Sequence, residues 1–516
     1  MPDGQAQNVS REVVQATLES QEQAWTIHPG VCFAAREGWY LTDPKTHRWL
    51  RIGPAMFLAG AAYYFGTGLD PIGLLAWVAP LPVLITAFTL GTGQAVILSL
   101  GTSLLGNLNM ISYLAEIMPK PLLAVSLLIP ALAYAGSVLL ARCAVRRLPS
   151  SVATFVFPLS WTSYEYVLSV ISPHGTAGSL AYTQSSLPLI QLASITGIWG
   201  ITFLLTVVPS GIAIAWHRRR PAPLAIPMSL LTITLVFGWA RLASPSTRPA
   251  IRAGLAATDE TVSCFRSESS EKATPVVEAY ARRVVRLASR GARIVLLPEK
   301  FVGIAPAYAG RATDILATAA SAGRVAVIAG LNEVGVRPML NTAVVISAQG
   351  RILARYHKVH LLPGPETGYM SGREIAVFSV DGATCGVAIC KDMDFPELAR
   401  EYSRAGTGIL FVPAWDFLRD ARLHARMAIL RAVEGGFALV RAAQEGLVTV
   451  ADHHGRVLAE ARSPETGDIL LVAEVVPGPA RTFYSLTGEW FAWLNLAMLV
   501  AVVAACRNRR RTTIAD

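Results

Sequence analysis

A chain of 516 residues that is 53% hydrophobic and only 16% charged is too apolar for a wholly soluble protein, and long enough for more than one domain. Its net charge of +10 does not point to nucleic acid, because the arginines lie beside apolar segments and form no basic stripe interleaved with aromatics. The six cysteines, Cys32, Cys143, Cys264, Cys385, Cys390 and Cys506, include no CxxC pair and no clustered Cys/His spacing, so neither a metal nor a cofactor is expected.

Residues 1–50 are polar and mixed and lack a signal-peptide pattern; they read as a cytoplasmic N-terminal extension. Apolar segments follow near 53–67, 70–88, 92–114, 121–140, 152–172, 195–216 and 224–242, which makes 51–245 a transmembrane bundle of about seven helices. A last one, within 488–506, precedes a basic tail at 507–516. Arginines cluster at Arg142, Arg146 and Arg147, at Arg218, Arg219 and Arg220, and at Arg507, Arg509, Arg510 and Arg511. With the N-terminus inside, eight spans put all three clusters on the cytoplasmic side, whereas seven would misplace one. The Lys120 linker and the loop at 173–194 then fall outside. Glu165 lies within the fifth apolar segment. A carboxylate there is either a functional group or one half of a polar pair between helices.

Residues 250–478 change character. "IRAGLAAT", "ARIVLLPE", "RVAVIAGL", "NTAVVIS", "ATCGVAIC", "GILFVPA" and "GFALVRAA" have the length and apolarity of strands. "VVEAYARRVVRLASRG" and "ARLHARMAILRAVEGG" are amphipathic at helical spacing. An α/β domain outside the membrane is expected, with His453 and His454 in a solvated loop.

Three residues in this domain make a chemical set. Glu299 ends "RIVLLPE", Lys358 lies in "ARYHKVHLLPG", and Cys390 ends the expected strand "CGVAIC". A thiol needs a base, which a poorly solvated glutamate can supply. The oxyanion of a tetrahedral intermediate needs a fixed positive charge, which a lysine can supply. Taken singly, each has a plainer reading: a buried cysteine fills space, and a strand-end Glu or Lys is solvated.

The segments "LLPEK", "RYHKVHLLPGPE" and "VAICKDMDFPELAR" occur in the order of the Glu, Lys and Cys segments of the nitrilase, or carbon–nitrogen hydrolase, superfamily, which 250–478 resembles. In the membrane half, "WTSYEY" with Trp161 and Glu165, "LAYTQSSLPLIQLASITGIWGITFLL" and "TFYSLTGEWFAW" resemble the membrane branch of that superfamily, the apolipoprotein N-acyltransferases. The resemblance implies a nitrilase-like αββα sandwich on a membrane α-helical bundle of about eight spans. It implies Glu299 as base, Lys358 as oxyanion stabiliser, Cys390 as nucleophile and Glu366 in support. The implied reaction moves an acyl chain from a glycerophospholipid to the cysteine as a thioester. The chain then passes to the N-terminal amine of a diacylglyceryl-lipoprotein. The implied place is a bacterial inner membrane, with membrane lipids around the bundle and the catalytic domain on the periplasmic side. After the cysteine, this chain has Lys391 and Asp392 where the acyltransferases have Tyr and Glu. Asp392 is taken as a supporting residue. Lys391, Trp415 and Phe265 are taken as candidate substrate contacts, and Lys391 either lowers the thiol's pKa or is a solvated turn residue. Two other readings stand beside this one: a membrane-anchored amide hydrolase, and an inactive membrane scaffold.

Overall fold

The computed structural model describes residues 44–244, 248–266, 270–335 and 337–515. The expected N-terminal extension lies almost wholly outside the described residues. Two compact units divide the chain, Met1–Pro54 and Ala55–Asp516, and every element after the first helix belongs to the second.

The helices of the first half are α1 (Pro44–Gly66), α2 (Gly73–Val78), α3 (Pro80–Ala87), α4 (Thr92–Gly106), α5 (Leu108–Ile117), α6 (Lys120–Arg147), α7 (Ser150–Ile171), α8 (Leu187–Ile190), α9 (Ala193–Thr196), α10 (Ile198–Arg218) and α11 (Ala225–Leu242). Each expected apolar segment is helical, but not each as one straight span. Among the described residues, Lys120–Arg147, Ile198–Arg218, Ala222–Leu242 and Trp490–Asn508 are singly long and apolar enough to cross a membrane. A fifth is the pair α4 and α5, which bends by 57°. The breaks have local causes. Pro80 has no N–H to continue α2. Asn107 sits between α4 and α5 and turns its side-chain amide back onto the Ser103 carbonyl at 2.8 Å, competing with the helix ladder.

The arginine clusters converge on one end of the bundle. Arg142 donates to the carbonyls of Ala87 and Leu90, each at 3.1 Å. Arg147 donates to the Cys506 carbonyl at 3.1 Å, and Arg218 to that of Val145. At the other end of α6 the bundle meets the α/β domain: Tyr113 donates to Asp420 at 2.6 Å, and Arg426 to the Leu69 carbonyl at 2.7 Å.

Among the described residues that domain has thirteen strands in two sheets. They are β1 (Ile251–Ala257), β2 (Ile294–Leu296), β3 (Val302–Ile304), β4 (Ala326–Glu333), β5 (Leu340–Ile346), β6 (Ile352–His357), β7 (Ala376–Val380), β8 (Ala383–Val387), β9 (Ile409–Trp415), β10 (Ala438–Gln444), β11 (Leu447–Ala451), β12 (Val457–Arg462) and β13 (Ile469–Val475). The first sheet runs β13-β1-β2-β4-β5-β6, with β3 beside β4; the second runs β12-β11-β10-β9-β8-β7. Strand alternation assigns the faces. Ala253, Leu255 and Ala257 of β1 enter the core between the sheets, while Ala256 faces outward. The outer face of the first sheet packs on α12 (Ser270–Ser289) and α13 (Pro306–Gly323). That of the second packs on α14 (Pro396–Arg404) and α15 (Ala421–Gly435). The layers are therefore αββα.

Helix α15 is buried on two sides. Ala428 and Ala432 lie on the second sheet, while Met427, Leu430 and Val433 pack with Tyr182, Ile198 and Trp199 of the bundle. Its polar residues are also buried: Arg431 pairs with Glu434 and donates to Tyr182 Oη at 2.5 Å, and Glu434 accepts from the Ile198 N–H at 2.8 Å. The expected solvated loop at His453 and His454 is a correction of the same kind. His454 is buried, and its carbonyl accepts from Gln191 of the bundle at 2.8 Å. The basic tail does not separate from the last span either, because helix α17 (Trp490–Ala515) runs through it after the short α16 (Phe483–Thr487).

Removing Arg431 leaves the Glu434 charge buried and unpaired, at a cost of about 3–5 kcal/mol. Arg431→Met is expected to lower the thermal unfolding midpoint in detergent, and adding Glu434→Gln should recover most of the loss, since the amide oxygen still accepts from Ile198. Equal midpoints for the single and double variants would refute this.

Candidate active site

Glu299 stands three residues beyond the end of β2 and lies where the two sheets meet. Its N–H donates to the Ala414 carbonyl of β9 at 3.3 Å, and its carbonyl accepts from Gln444 Nε2 of β10 at 2.9 Å. The approach of this segment to β4 requires glycine: a Cβ on Gly330 would lie 2.2 Å from the Pro298 oxygen. Lys358 follows β6 directly. Glu366 stands in the loop after it, where its Oε2 accepts from the Leu362 N–H at 2.7 Å.

Cys390 does not end a strand. Strand β8 stops at Val387, and the cysteine opens a short 3-10 turn, Cys390–Asp394, with a left-handed φ of 44°. A non-glycine residue holds that conformation only when its surroundings impose it. Asp392 is what imposes it. Fully buried, it accepts from the Ile389 N–H at 2.9 Å, the Tyr356 hydroxyl at 2.6 Å and the His360 N–H at 2.8 Å. The S–H of Cys390 points at the Trp415 carbonyl, 3.4 Å away.

The charged groups form one cluster. Lys358 Nζ is 2.9 Å from Glu299 Oε1 and 3.1 Å from Glu366 Oε2. Asn341 Nδ2 donates to both carboxylates, at 2.6 Å to Glu299 and 2.9 Å to Glu366. Lys300 makes a second ion pair with Glu366. Burial works against the Lys358 ammonium, but Glu299 and Glu366 outweigh it and hold its pKa well above the ordinary value. Burial likewise opposes ionisation of Glu366, yet Lys358 and Lys300 bring it down to about 2. Cys390 goes the other way. Burial, then the Glu299 charge, raise its thiol well above the usual range, with Lys358 opposing them. The resting sulfur is a thiol beside a carboxylate.

Glu299, Lys358, Glu366 and Cys390 thus come together, and Asp392 braces the turn. Lys391 meets neither expectation held for it. It is buried rather than solvated, and its ammonium lies 3.2 Å from Asp394 and 3.4 Å from His174 Nδ1, paired there rather than with the thiol. Trp415 and Phe265 meet edge-on, with centroids 4.6 Å apart, and Trp415 Nε1 donates to Glu445 at 2.6 Å. Glu165 binds bundle groups: Trp161 at 2.9 Å, Ser179 at 2.7 Å, Thr202 at 2.8 Å and the Leu180 N–H at 3.0 Å. That is the polar pairing between helices. Sequence reasoning missed Asn341, Lys300, Gln444 and Tyr356. Lys300 was visible beside Glu299 in "LLPEK"; the other three carry no signal until the strands are paired. Among the described residues, no His, Cys, Asp and Glu group could hold a metal ion.

The family described as carbon-nitrogen hydrolase matches residues 261–482, and the apolipoprotein N-acyltransferase N-terminal domain matches residues 59–211. The apolipoprotein N-acyltransferase of Geobacter metallireducens is 30% identical over 397 residues, covering 69% of this chain and 74% of that one. A deaminated glutathione amidase of Synechocystis sp. is 32% identical over 235 residues, covering 38% of this chain and 85% of its own. A solved amidase from Nesterenkonia sp. is 22% identical with a TM-score of 0.40, over 49% of this chain and 100% of that one. The two-sheet sandwich and the two family matches define a carbon–nitrogen hydrolase domain joined to a bundle of apolar helices. The chain belongs to the apolipoprotein N-acyltransferase family.

Because the thiol is held up by burial and by Glu299, alkylation of Cys390 by iodoacetamide is expected to keep rising beyond pH 9. Glu299→Gln removes an anion and should move that curve to lower pH. Lys358→Met removes a cation and should move it to higher pH. Peptide mass spectrometry of the alkylated protein reads both, and a curve flat from pH 7 upward would contradict the assignment.

Proposed function

We propose that the protein is a phospholipid-dependent N-acyltransferase acting on the N-terminal amine of diacylglyceryl-lipoproteins. The observation that carries this is a half-buried thiol grouped with a buried carboxylate and ammonium in a domain whose helix α15 is packed into an apolar bundle. A site so placed can reach substrates that stay anchored in the bilayer.

The chemistry follows from the geometry. Glu299 takes the Cys390 proton as sulfur attacks the ester carbonyl of a glycerophospholipid. The oxyanion forms beside the Lys358 ammonium. The C–O bond breaks, Glu299 returns the proton to the leaving alkoxide, and a lysophospholipid departs from a thioester. The lipoprotein amine then attacks the thioester. Glu299 takes the amine proton and passes it to the departing thiolate. Glu366 and Asn341 keep Lys358 and Glu299 in register, Asp392 holds the nucleophile turn, and Trp415, whose carbonyl receives the Cys390 S–H and whose ring meets Phe265, is with Phe265 a candidate acyl or acceptor contact. No step needs a cofactor.

The layout goes with this reading: a bundle over 51–245, the catalytic domain over 250–478 and a last span within 488–506, with eight crossings proposed from the apolar segments of the sequence, where four single helices and one bent pair are long and apolar enough among the described residues. Convergence of the arginine clusters at the end of the bundle away from the catalytic domain supports a periplasmic placement of that domain in a bacterial inner membrane. Protease added to right-side-out spheroplasts should then cut within 250–478, and cleavage confined to inside-out vesicles would reverse the orientation.

A second reading is an amide hydrolase that admits water. It is favoured by the Lys391–Asp392 turn and by the likeness to the Synechocystis amidase. One experiment separates the two. Incubated with phospholipid alone, the wild type should acquire an acyl adduct visible by intact mass and removable by neutral hydroxylamine. Cys390→Ala should acquire none, and should lose at least about a thousandfold in turnover, as removal of a covalent nucleophile does. Steady release of free fatty acid without an adduct would establish hydrolysis instead.

A further inference from the structure

The catalytic cluster contains one charged group that the acyl-transfer reading leaves idle. Lys300 follows Glu299 in the chain, yet its side chain is not solvated. Only 6% of the residue is exposed. Its ammonium pairs with Glu366 Oε1 and lies 4.5 Å from the centroid of the Tyr369 ring. The Tyr369 hydroxyl is fixed in turn by Asn332 Oδ1 at 2.9 Å. The backbone at Lys300 has a φ of 48°, in the left-handed region that a lysine adopts only when held there. A flexible, strongly hydrated side chain has thus been buried in a constrained conformation to put a second positive charge beside the base.

Counting charge shows what that does. Glu299 and Glu366 are two carboxylates joined through one ammonium, Lys358, and one amide, Asn341. With Lys358 alone the cluster carries one net negative charge in a poorly solvated place. Two carboxylates sharing one site relieve such a charge by keeping a proton. A proton held by that pair is a proton that Glu299 cannot take from sulfur. With Lys300 present two ammoniums face two carboxylates, and the charges balance. The other charged or titratable groups facing this centre are the Cys390 thiol, Tyr369 and, from the second sheet, the buried pair Asp416 and Arg441, which compensate each other. None of them replaces the charge of Lys300.

We propose that Lys300 is a positioning residue for acyl transfer: it neutralises Glu366, and so leaves Glu299 free to act as the base toward Cys390. This rests on the transferase reading only for the substrate, because the thiol itself reports the same charge balance.

The sign is fixed. Loss of Lys300 makes the site more negative, so the carboxylate pair holds its proton to higher pH and the thiol becomes harder to ionise. The test follows the pH dependence of acyl-enzyme formation from phospholipid, by intact mass, in wild type, Lys300→Met, Lys300→Arg and the double variant Lys300→Met with Glu366→Gln. For Lys300→Met the acidic limb should move up by about one pH unit, so that the rate falls about tenfold on the limb and recovers above it. Lys300→Arg should keep the wild-type limb. In the double variant the carboxylate that needed neutralising is gone, so the limb should return toward wild type. Loss of rate by the same factor at every pH, an unmoved limb, or no return of the limb in the double variant would each overturn the proposal. Iodoacetamide labelling of Cys390 in the same four proteins is read in parallel, and Lys300→Met should shift that curve to higher pH. If the wild type forms no acyl-enzyme, the transferase reading falls, and the labelling curves still decide the role of Lys300.

Discussion

Everything in the catalytic domain is arranged around a cost: four charged side chains have been taken out of water and placed between two β-sheets. Charges so buried survive only when paired and hydrogen-bonded. Here the pairing is reciprocal. Lys358 reaches both carboxylates, Asn341 reaches both, and Lys300 completes the second pair. Removing Glu366 would take from Lys300 the carboxylate it pairs with and from Lys358 one of its two. The strand order has to deliver them together. Glu299 comes from the end of β2, Lys358 from the end of β6 and Asn341 from β5, all in the first sheet. The thiol comes from the second. The register between sheets is therefore part of the catalytic geometry, and the two backbone bonds of Glu299, to Ala414 and from Gln444, fix it.

The same logic explains why the thiol is not ionised at rest. A neutral cluster of two carboxylates and two ammoniums has no positive charge to spare for a thiolate. Burial and the Glu299 charge hold the proton on the sulfur. An acyl-transfer enzyme in a lipid environment gains from this, since a standing thiolate would be open to oxidation and alkylation.

Much of this was legible in the sequence, and the parts that were not share a cause. Glu299, Lys358 and Cys390 announced themselves because each sits in a local segment with its own pattern. Strands β7, β11, β12 and β13 gave less. Strand β12, at a sheet edge, is exposed along most of its length, so its residues lack the apolar signature used to find strands. The eight apolar segments were found by hydropathy, but Pro80 and Asn107 break two of them, and composition averages over such single residues. The larger misses, His454 and Lys391, came from reading charge as exposure. A polar residue in a turn is ordinarily solvated; here the turns of the catalytic domain are covered by the bundle. No local pattern carries that information, because the covering residues lie more than two hundred positions away.

That covering reaches the nucleophile itself. The loop after α7 lies against the turn that begins at Cys390. The Thr176 N–H and hydroxyl both donate to the Asp394 carbonyl, at 3.0 and 2.7 Å, and a Cβ on Gly175 would come within 2.6 Å of the same oxygen. Lys391, which follows the nucleophile, faces His174 of that loop and Asp394. Without the bundle, the outer side of this turn would face solvent. In this chain the bundle holds that side, while Asp392 holds the inner side through Ile389, Tyr356 and His360. The strained cysteine is thus clamped between the soluble fold and the membrane fold. At residue 391 the lysine makes a buried ion pair with Asp394 at this junction.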